Sequence, residues 1–415
     1  MLPSVSVVVV SQGRETLLAR CLKALSQQQR VRAEVIVVTS DQAVEYLSEK
    51  GWTDRVKVVR MNDENISVAR NRGIDEASGD VVAFIDDDAV AEPGWLYYLL
   101  QPFVDAGVDA ASGFTIGRNG FSFQWKAETI DAAGVSHPLA VPEDRISVFT
   151  SKPERAIKTI GTNMAVRREA LLALNGFDPR YRFYLDDSDL AMRLAARSAK
   201  LAIVPMARVH HAFAPSRRRS PQRVPKTLYE IGASQSVFTK THLSPELIQS
   251  AGRDFCKAQK QRLIKLMQAG ALGPEEVAFL MVTLEDGLLD GRSRKAVERG
   301  LVRAKADRFF PLVDSQKCAI FVQSGRIFGR KSLNQRAKDA VDAGELGIVI
   351  ELSPTALYHC RYYDDAGFWK QRGGIWGKSL RSQSLFRLST FQTRARAEIR
   401  QFLREFRLDG SDHGT

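Results

Sequence analysis

Val81-Val82-Ala83-Phe84-Ile85-Asp86-Asp87-Asp88-Ala89-Val90 is the stretch from which the fold is read. Five apolar residues, rich in β-branched and aromatic side chains, run directly into three consecutive carboxylates. Such a run predicts a strand buried on both faces. Three acids at its carboxyl end would repel one another unless something positive sat among them. A divalent cation bridging to a phosphorylated ligand answers that need, because hard cations take oxygen ligands. A polar loop capping the next helix is the plainer alternative and would be preferred for Asp-Asp alone; three acids ending a buried strand favour a metal or nucleotide site.

Working outward, residues 5–10 form a second all-apolar strand but for Ser6, closed by Ser11-Gln12-Gly13-Arg14. Leu17, Leu18, Cys21, Leu22 and Leu25 follow at helical spacing. Residues 34–38 predict a strand ending in Thr39-Ser40-Asp41, residues 43–50 a helix, 56–59 a strand and 65–77 a helix, with Gly79-Asp80 turning into the carboxylate strand. Strands alternating with helices in this way imply βαβ units and a mostly parallel sheet. Ligands of such sheets sit beyond the carboxyl ends of the strands. Ser11–Arg14, Thr39–Asp41 and Asp86–Asp88 all project there, which makes that edge the expected site.

Five segments in this order resemble the family-2 glycosyltransferases: residues 5–28, Ala69-Arg70-Asn71-Arg72-Gly73, residues 79–88, Gly161-Thr162-Asn163-Met164-Ala165, and Asn175-Gly176-Phe177-Asp178 followed by Asp186-Asp187-Ser188-Asp189-Leu190. The resemblance covers residues 4–214. No GxGxxG follows the first strand and no GxxxxGK[ST] occurs, which argues against dinucleotide enzymes and P-loop NTPases. The resemblance implies a GT-A fold, a Rossmann-like α/β architecture with a mixed, mostly parallel sheet, and an inverting transfer from a UDP, GDP or dTDP sugar to a glycan, lipid-linked or other hydroxyl acceptor. It implies that Asp86 and Asp87 contact the ribose or metal-bound phosphates and that Asp88 ligates Mn2+ or Mg2+. His211, with His210 as the alternative, would join the metal shell. Asp187 would be the general base, with Asp186 standing where the family carries Glu. Ser11, Arg14, Asp41, Arg70, Asn71 and Asn163 would line the nucleotide-sugar site. Two departures touch the base pocket: Thr39-Ser40 replaces the usual acid at the second strand end, and Gly13 replaces the common Asn before Arg14. A non-catalytic nucleotide- or glycan-binding protein on the same fold is the alternative function.

Several of these residues also have plain structural explanations. Asp186, Asp187 and Asp189 open a helix, where aspartate suits the N-terminus. Asn163 suits a turn bonding its own backbone, and Arg70, Asn71 and Arg72 suit a solvated helix face.

The chain has 415 residues, a net charge of +12 and 26% charged residues, with a pI near 9.6. That length predicts two or three domains, and the charge asks for an anionic partner. No nucleic-acid-binding module is recognisable, so nucleic acid is not expected. The four cysteines, Cys21, Cys256, Cys318 and Cys360, show no metal-ligand spacing and read as reduced structural thiols. Without a membrane-span-length apolar run or a signal peptide, a cytoplasmic protein is expected, open to peripheral contact with the inner face of a membrane.

Beyond the resemblance we divide the chain into a GT-A domain (1–214), a basic linker and helical subdomain (215–310) and a small α+β domain (311–415). Residues 215–226 hold three prolines and several arginines and read as a linker or acceptor-side arm. Helices are expected over 255–267, 274–289 and 294–307, forming a helical subdomain or a bundle for self-association. Their basic faces are either solvated or rest on anionic lipid. Strands are expected at 318–322, 346–350 and 358–363, with helices over 333–343 and 390–406. The Phe368-Trp369 and Gly373–Gly377 segment reads as a small core under a turn rather than a sugar-stacking loop.

Overall fold

The Val81–Asp86 strand lies inside an eleven-stranded sheet, in a computed structural model that describes residues 1–211, 217–296, 301, 308–314, 318–380, 383–384 and 386–407. Val81, Ala83 and Ile85 face a cluster containing Leu18, Leu22, Trp95 and Leu99. Val82 and Phe84 face the opposite cluster with Phe114, Phe177, Leu190 and Leu194. Covering both faces is what removes polar alternation from the strand.

Val5–Ser11 lies parallel to both Val81–Asp86 and Arg32–Thr39, with Val10 opposite Asp86 and Ser11 opposite Thr39. The three polar strand ends are therefore level with one another. Met164–Arg167 inserts antiparallel between Val81–Asp86 and Val108–Ile116, which makes the sheet mixed. The long Lys200–His211 strand runs parallel to Val108–Ile116. Its last residues pair antiparallel with the short Ala89–Ala91 strand just beyond the triple aspartate, His211 opposite Ala89. That pairing carries His211 to the carboxylate edge. The α/β architecture expected for the amino-terminal region, a mixed sheet flanked by helices, is present.

The boundary expected at residue 311 needs correction. Pro311–Asp314 joins the large sheet, antiparallel to Arg32–Thr39, so the chain returns to the first domain before leaving it. Arg32 stacks over Phe309 at 4.6 Å and the Phe310 amide donates to Glu34 Oε2 at 2.9 Å, which anchors the return.

Three helices, Tyr229–His242, Pro245–Gln268 and Pro274–Ser293, form the middle region. Val237 and Phe238 of the first pack on Tyr181, Leu185 and Met192. Leu228 and Ile231 pack on Leu263, Leu280 and Leu284 of the other two. The helix expected over 294–307 is not continuous with its predecessor, which ends at Ser293; Arg294 turns extended and binds Glu230 at 3.0 Å, and residues 297–300 and 302–307 lie outside those described. Of the expected linker, residues 215–216 also lie outside, and 217–226 fold back on themselves through a bridge between Arg219 and Pro225.

The carboxyl-terminal region is a four-stranded sheet in the order Ile320–Arg326, Leu346–Ser353, Trp369–Gly374, Cys360–Tyr363, the last antiparallel. Helices Arg330–Asp342 and Phe391–Glu405 cover it. Phe368 and Trp369 are core residues, as expected. Trp369 and Phe402 share a cluster with Ala24 and Val90 of the first domain, and Tyr363 donates its hydroxyl to Gln27 at 2.9 Å. All four cysteines are free thiols. Among the described residues no helix is long and apolar enough to cross a membrane.

Candidate active site

The triple aspartate does not act as one group, because the chain turns through it and each side chain points differently. Asp87 is turned inward with no exposed side chain, where Ser11 Oγ donates to it at 2.6 Å and Arg14 Nε at 3.0 Å. Burial pushes its carboxyl up to about 7 against the pull of Arg14, and Asp88 adds to the rise. The expectation that Asp87 reaches the nucleotide does not match this placement; with Ser11 and Arg14 it builds the floor beneath the site.

Asp86 and Asp88 face the other way, toward His211. His211 Nε2 lies 3.2 Å from Asp88 Oδ1 and 4.0 Å from Asp86 Oδ2. One ligand atom from each of Asp86, Asp88 and His211 falls within 4.8 Å of the others. His210, the alternative, points elsewhere: its ring meets Glu92 Oε1 at 3.0 Å and packs 4.7 Å from Trp369. Successive strand residues face opposite ways, so only one of the two histidines can join the acids. Two carboxylate oxygens and an imidazole nitrogen fit a divalent cation that keeps open positions for phosphate oxygens and water.

The second acidic cluster opens the Asp186–Ala195 helix. Tyr184 and Leu185, immediately before it, both have left-handed backbones, φ +72° and +63°. That geometry is costly for bulky side chains and is typical of positions held by function. Asp186 is buried against Arg70 in a short ion pair, and the same guanidinium reaches Asp86 Oδ1 at 3.8 Å. Burial pushes Asp186 up to about 6, Arg70 opposes the rise and Asp187 adds to it. Arg70 is thus the link between the clusters and not a solvated residue. Phe84 and Phe177 hold its guanidinium at 5.8 and 5.3 Å.

Asp187 is half-buried, the more accessible of the pair. Its Oδ2 accepts from the Gly161 amide at 2.9 Å and its Oδ1 from Ser188 Oγ at 3.1 Å. A Cβ on Gly161 would sit 2.5 Å from Arg70 Nη2, so a larger residue would displace the linking guanidinium. Two neighbours had escaped the sequence reading. Thr162 donates to Asp86 at 2.5 Å. Lys158 stands near Asp187: burial acts to lower its pKa, but Asp187 and Glu128 outweigh burial and leave it raised. Thr162 lay within a quoted motif, whereas Lys158 carries no sequence signal.

Three expected ligand contacts are placed differently. Asn163 is fully buried; Trp95 donates to its carbonyl at 2.7 Å, and its amide donates to the Phe114 and Ala207 carbonyls at 2.9 Å each. Gly113 makes room for that knot, since a Cβ there would come 2.0 Å from the Ala207 oxygen. Asn71 clamps the backbone of Phe177 from both sides, at 2.7 and 2.8 Å. Asp41 is exposed and paired with Arg60 and Asn62, each at 2.9 Å. Ser11, Arg14, Arg70, Asp86, Asp87, Asp88, Asp186, Asp187 and His211 are brought together; Asn71, Asn163 and Asp41 are not.

Residues 6–173 match the family model described as Glycosyl transferase family 2. The chain is 27% identical over 234 residues to the O-antigen biosynthesis protein RfbC of Myxococcus xanthus, covering 52% of this chain and 18% of that protein. It is 29% identical over 180 residues to the glucosyl-dolichyl phosphate glucuronosyltransferase of Haloferax volcanii, covering 42% of this chain and 55% of that protein. It thus spans little more than half, or less, of these curated relatives. Among solved structures it is similar to the mannosyltransferase PcManGT from Pyrobaculum calidifontis in complex with GDP-Man and Mn2+, with 16% identity, a TM-score of 0.42, and coverage of 70% of this chain and 87% of that one.

Proposed function

We propose that this chain is an inverting glycosyltransferase that moves a sugar from a nucleoside-diphosphate sugar to a hydroxyl acceptor. The observation that carries this is the pair of carboxylate clusters, Asp86/Asp88/His211 and Asp186/Asp187, tied together by Arg70 at one sheet edge. Asp86, Asp88 and His211 would hold a divalent Mn2+ or Mg2+, which would neutralise charge on the leaving diphosphate. Asp187, the more accessible acid of its pair, accepts the proton of the acceptor hydroxyl. The freed oxygen forms its bond to the anomeric carbon as the bond from that carbon to the diphosphate oxygen breaks. The electron pair leaves on the nucleoside diphosphate, and the anomeric configuration inverts. Arg70 keeps Asp186 paired and holds both clusters in register.

The two curated relatives support a place in cell-surface polysaccharide or glycoconjugate synthesis. The test is to incubate the chain with UDP, GDP and dTDP sugars, with and without Mn2+ or Mg2+, and to measure nucleoside diphosphate release and the product anomer. Metal-dependent release with an inverted product is expected. Binding without turnover across donors and a broad acceptor panel would instead favour a non-catalytic binding protein.

A further inference from the structure

The four-stranded carboxyl-terminal sheet has two unlike ends. At one, the turn of residues 364–368 is occupied by the first domain: Lys23 Nζ donates to the Asp365 carbonyl at 2.6 Å and Gln27 Nε2 to the Gly367 carbonyl at 2.7 Å. At the other, the three parallel strands finish together, Arg326 level with Leu352 and Ser353 level with Gly374. Beyond that end the loops 353–359, 374–380 and 386–391 are tied by backbone bonds. The Trp376 amide donates to the Thr355 carbonyl at 3.1 Å, the His359 amide to that of Lys378 at 3.0 Å, and the Arg387 amide to that of Trp376 at 3.1 Å. A Cβ on Gly377 would come 1.9 Å from the Leu357 oxygen, so two of these loops touch where only glycine fits. Leu357, Tyr358, Leu380, Phe386 and Leu388 stand exposed on them, and Phe328, 91% exposed, follows the Ile320–Arg326 strand at the same end. These are six of the fourteen large apolar side chains exposed among the described residues, a concentration that marks an interaction surface rather than ordinary scatter.

The charge at this end has one sign. No Asp or Glu occurs from Ala366 to Ala397. Asp339, Asp342 and Glu345 lie at the far end, where the Arg330–Asp342 helix finishes and the Leu346–Ser353 strand begins. Glu351 is buried and held by Arg330, Lys370 and Arg372 at 2.7, 3.0 and 3.1 Å. Glu398 is buried against Arg394 at 3.0 Å, and Glu405 pairs with Arg361 at 2.6 Å. Arg326, Lys331 and Arg387 are exposed and Lys378 is half-buried over the Tyr358 ring at 5.2 Å; none of the four has a carboxylate partner among the described residues. A second copy meeting this surface through the same patch would bring like charges together. An anionic bilayer instead offers an apolar interior beneath a negative layer, and aromatic rings and cations sit well at that boundary.

We propose that the loops 353–359, 374–380 and 386–391 dock this chain on an anionic lipid surface. Leu357, Leu380, Phe386 and Leu388 enter the boundary of the acyl chains, and Arg326, Lys331, Lys378 and Arg387 meet the headgroups. The contact rests on this surface alone and not on the reaction proposed above.

The test is co-sedimentation of the full chain with vesicles of phosphatidylcholine, alone or mixed with about one third phosphatidylglycerol, at low and high salt. The native chain should bind the mixed vesicles about tenfold or more tighter than the neutral ones, with an advantage that shrinks in high salt. Phe386→Ser with Leu388→Ser leaves every charge in place and should weaken binding to the mixed vesicles about tenfold or more. Lys378→Gln with Arg387→Gln should do the same, whereas Lys378→Arg with Arg387→Lys should bind as the native chain does. None of these side chains is buried, and an unchanged urea midpoint verifies that each variant is folded. Equal binding to neutral and mixed vesicles would overturn the proposal. Native-like binding by the Ser pair would also overturn it, by reducing the attraction to the net charge of +12. Self-association of the lipid-free chain that the Ser pair abolishes, without vesicle binding, would assign the surface to a second copy and overturn it likewise.

Discussion

Arg70→Met is the perturbation that tests the link between the two carboxylate clusters most directly. Methionine keeps a long side chain between Phe84 and Phe177 but deletes the charge facing Asp186. Both partners are nearly enclosed, with side-chain exposures of 8% and 9%. Removing one member of a buried ion pair costs about 3–5 kcal/mol, because the remaining charge is left uncompensated. The cost must depend on pH. Burial already pushes Asp186 up to about 6 despite Arg70. A folded-state carboxyl pKa above the unfolded value stabilises the fold fully below the unfolded pKa and loses that contribution as pH rises through the folded pKa. Without Arg70 the Asp186 pKa rises further, and keeping that carboxyl protonated costs little in mild acid and progressively more as pH rises above the unfolded pKa. Urea denaturation followed by tryptophan fluorescence should show the variant losing about 3–5 kcal/mol near pH ~8 and much less near pH ~5. Arg70→Met combined with Asp186→Asn should recover most of the loss, because it removes the stranded charge. Equal losses at both pH values, or no recovery in the double variant, would refute the pairing.

Asp187→Asn should lower transfer by about 100-fold or more while donor binding by thermal shift is little changed, since only the proton acceptor is removed. His211→Ala should weaken Mn2+ binding in metal titrations, whereas His210→Ala, which loses a contact to Glu92 and Trp369, should lower stability and leave metal affinity alone. Asn163→Ala orphans three buried groups, on Trp95, Phe114 and Ala207. At about 1–3 kcal/mol each, it should register as a melting defect of several kcal/mol in purified protein. Asp189 is buried, which acts to raise its carboxyl, but Arg193 and His242 prevail and hold it below the ordinary range. Its contribution is present above the unfolded pKa and lost as pH falls through the folded one, so Asp189→Asn should narrow its stability deficit in acid denaturation below pH ~4.

The amino-terminal fold was legible because buried parallel strands have a composition of their own. The runs at 5–10 and 81–85 are covered on both faces, and their polar ends come level because parallel pairing fixes register. The carboxylates that carry the candidate chemistry were legible for the same reason, since acids at the end of such a strand need an explanation. What the chain order could not determine was direction. Asp86, Asp87 and Asp88 are consecutive, yet the turn sends Asp87 under Arg14 and Ser11 and leaves the outer two with His211. Asn163 and Asn71 carry motif positions but spend their side chains on distant backbone, a use that only the packed neighbours reveal. For Arg70 the sequence left both a nucleotide-sugar contact and a solvated helix face open, and only the packing of the Asp186–Ala195 helix pairs it with Asp186. The stacking of Arg218 over Phe183 and the return of Pro311–Asp314 to the first sheet depend on contacts across 35 residues (Arg218 from Phe183) and 277 residues (Pro311 from Glu34) of chain. Local sequence determines which strands form and where their charged ends fall; tertiary packing determines which of those charges face one another, because burial and pairing energies are set by neighbours that the local sequence does not contain.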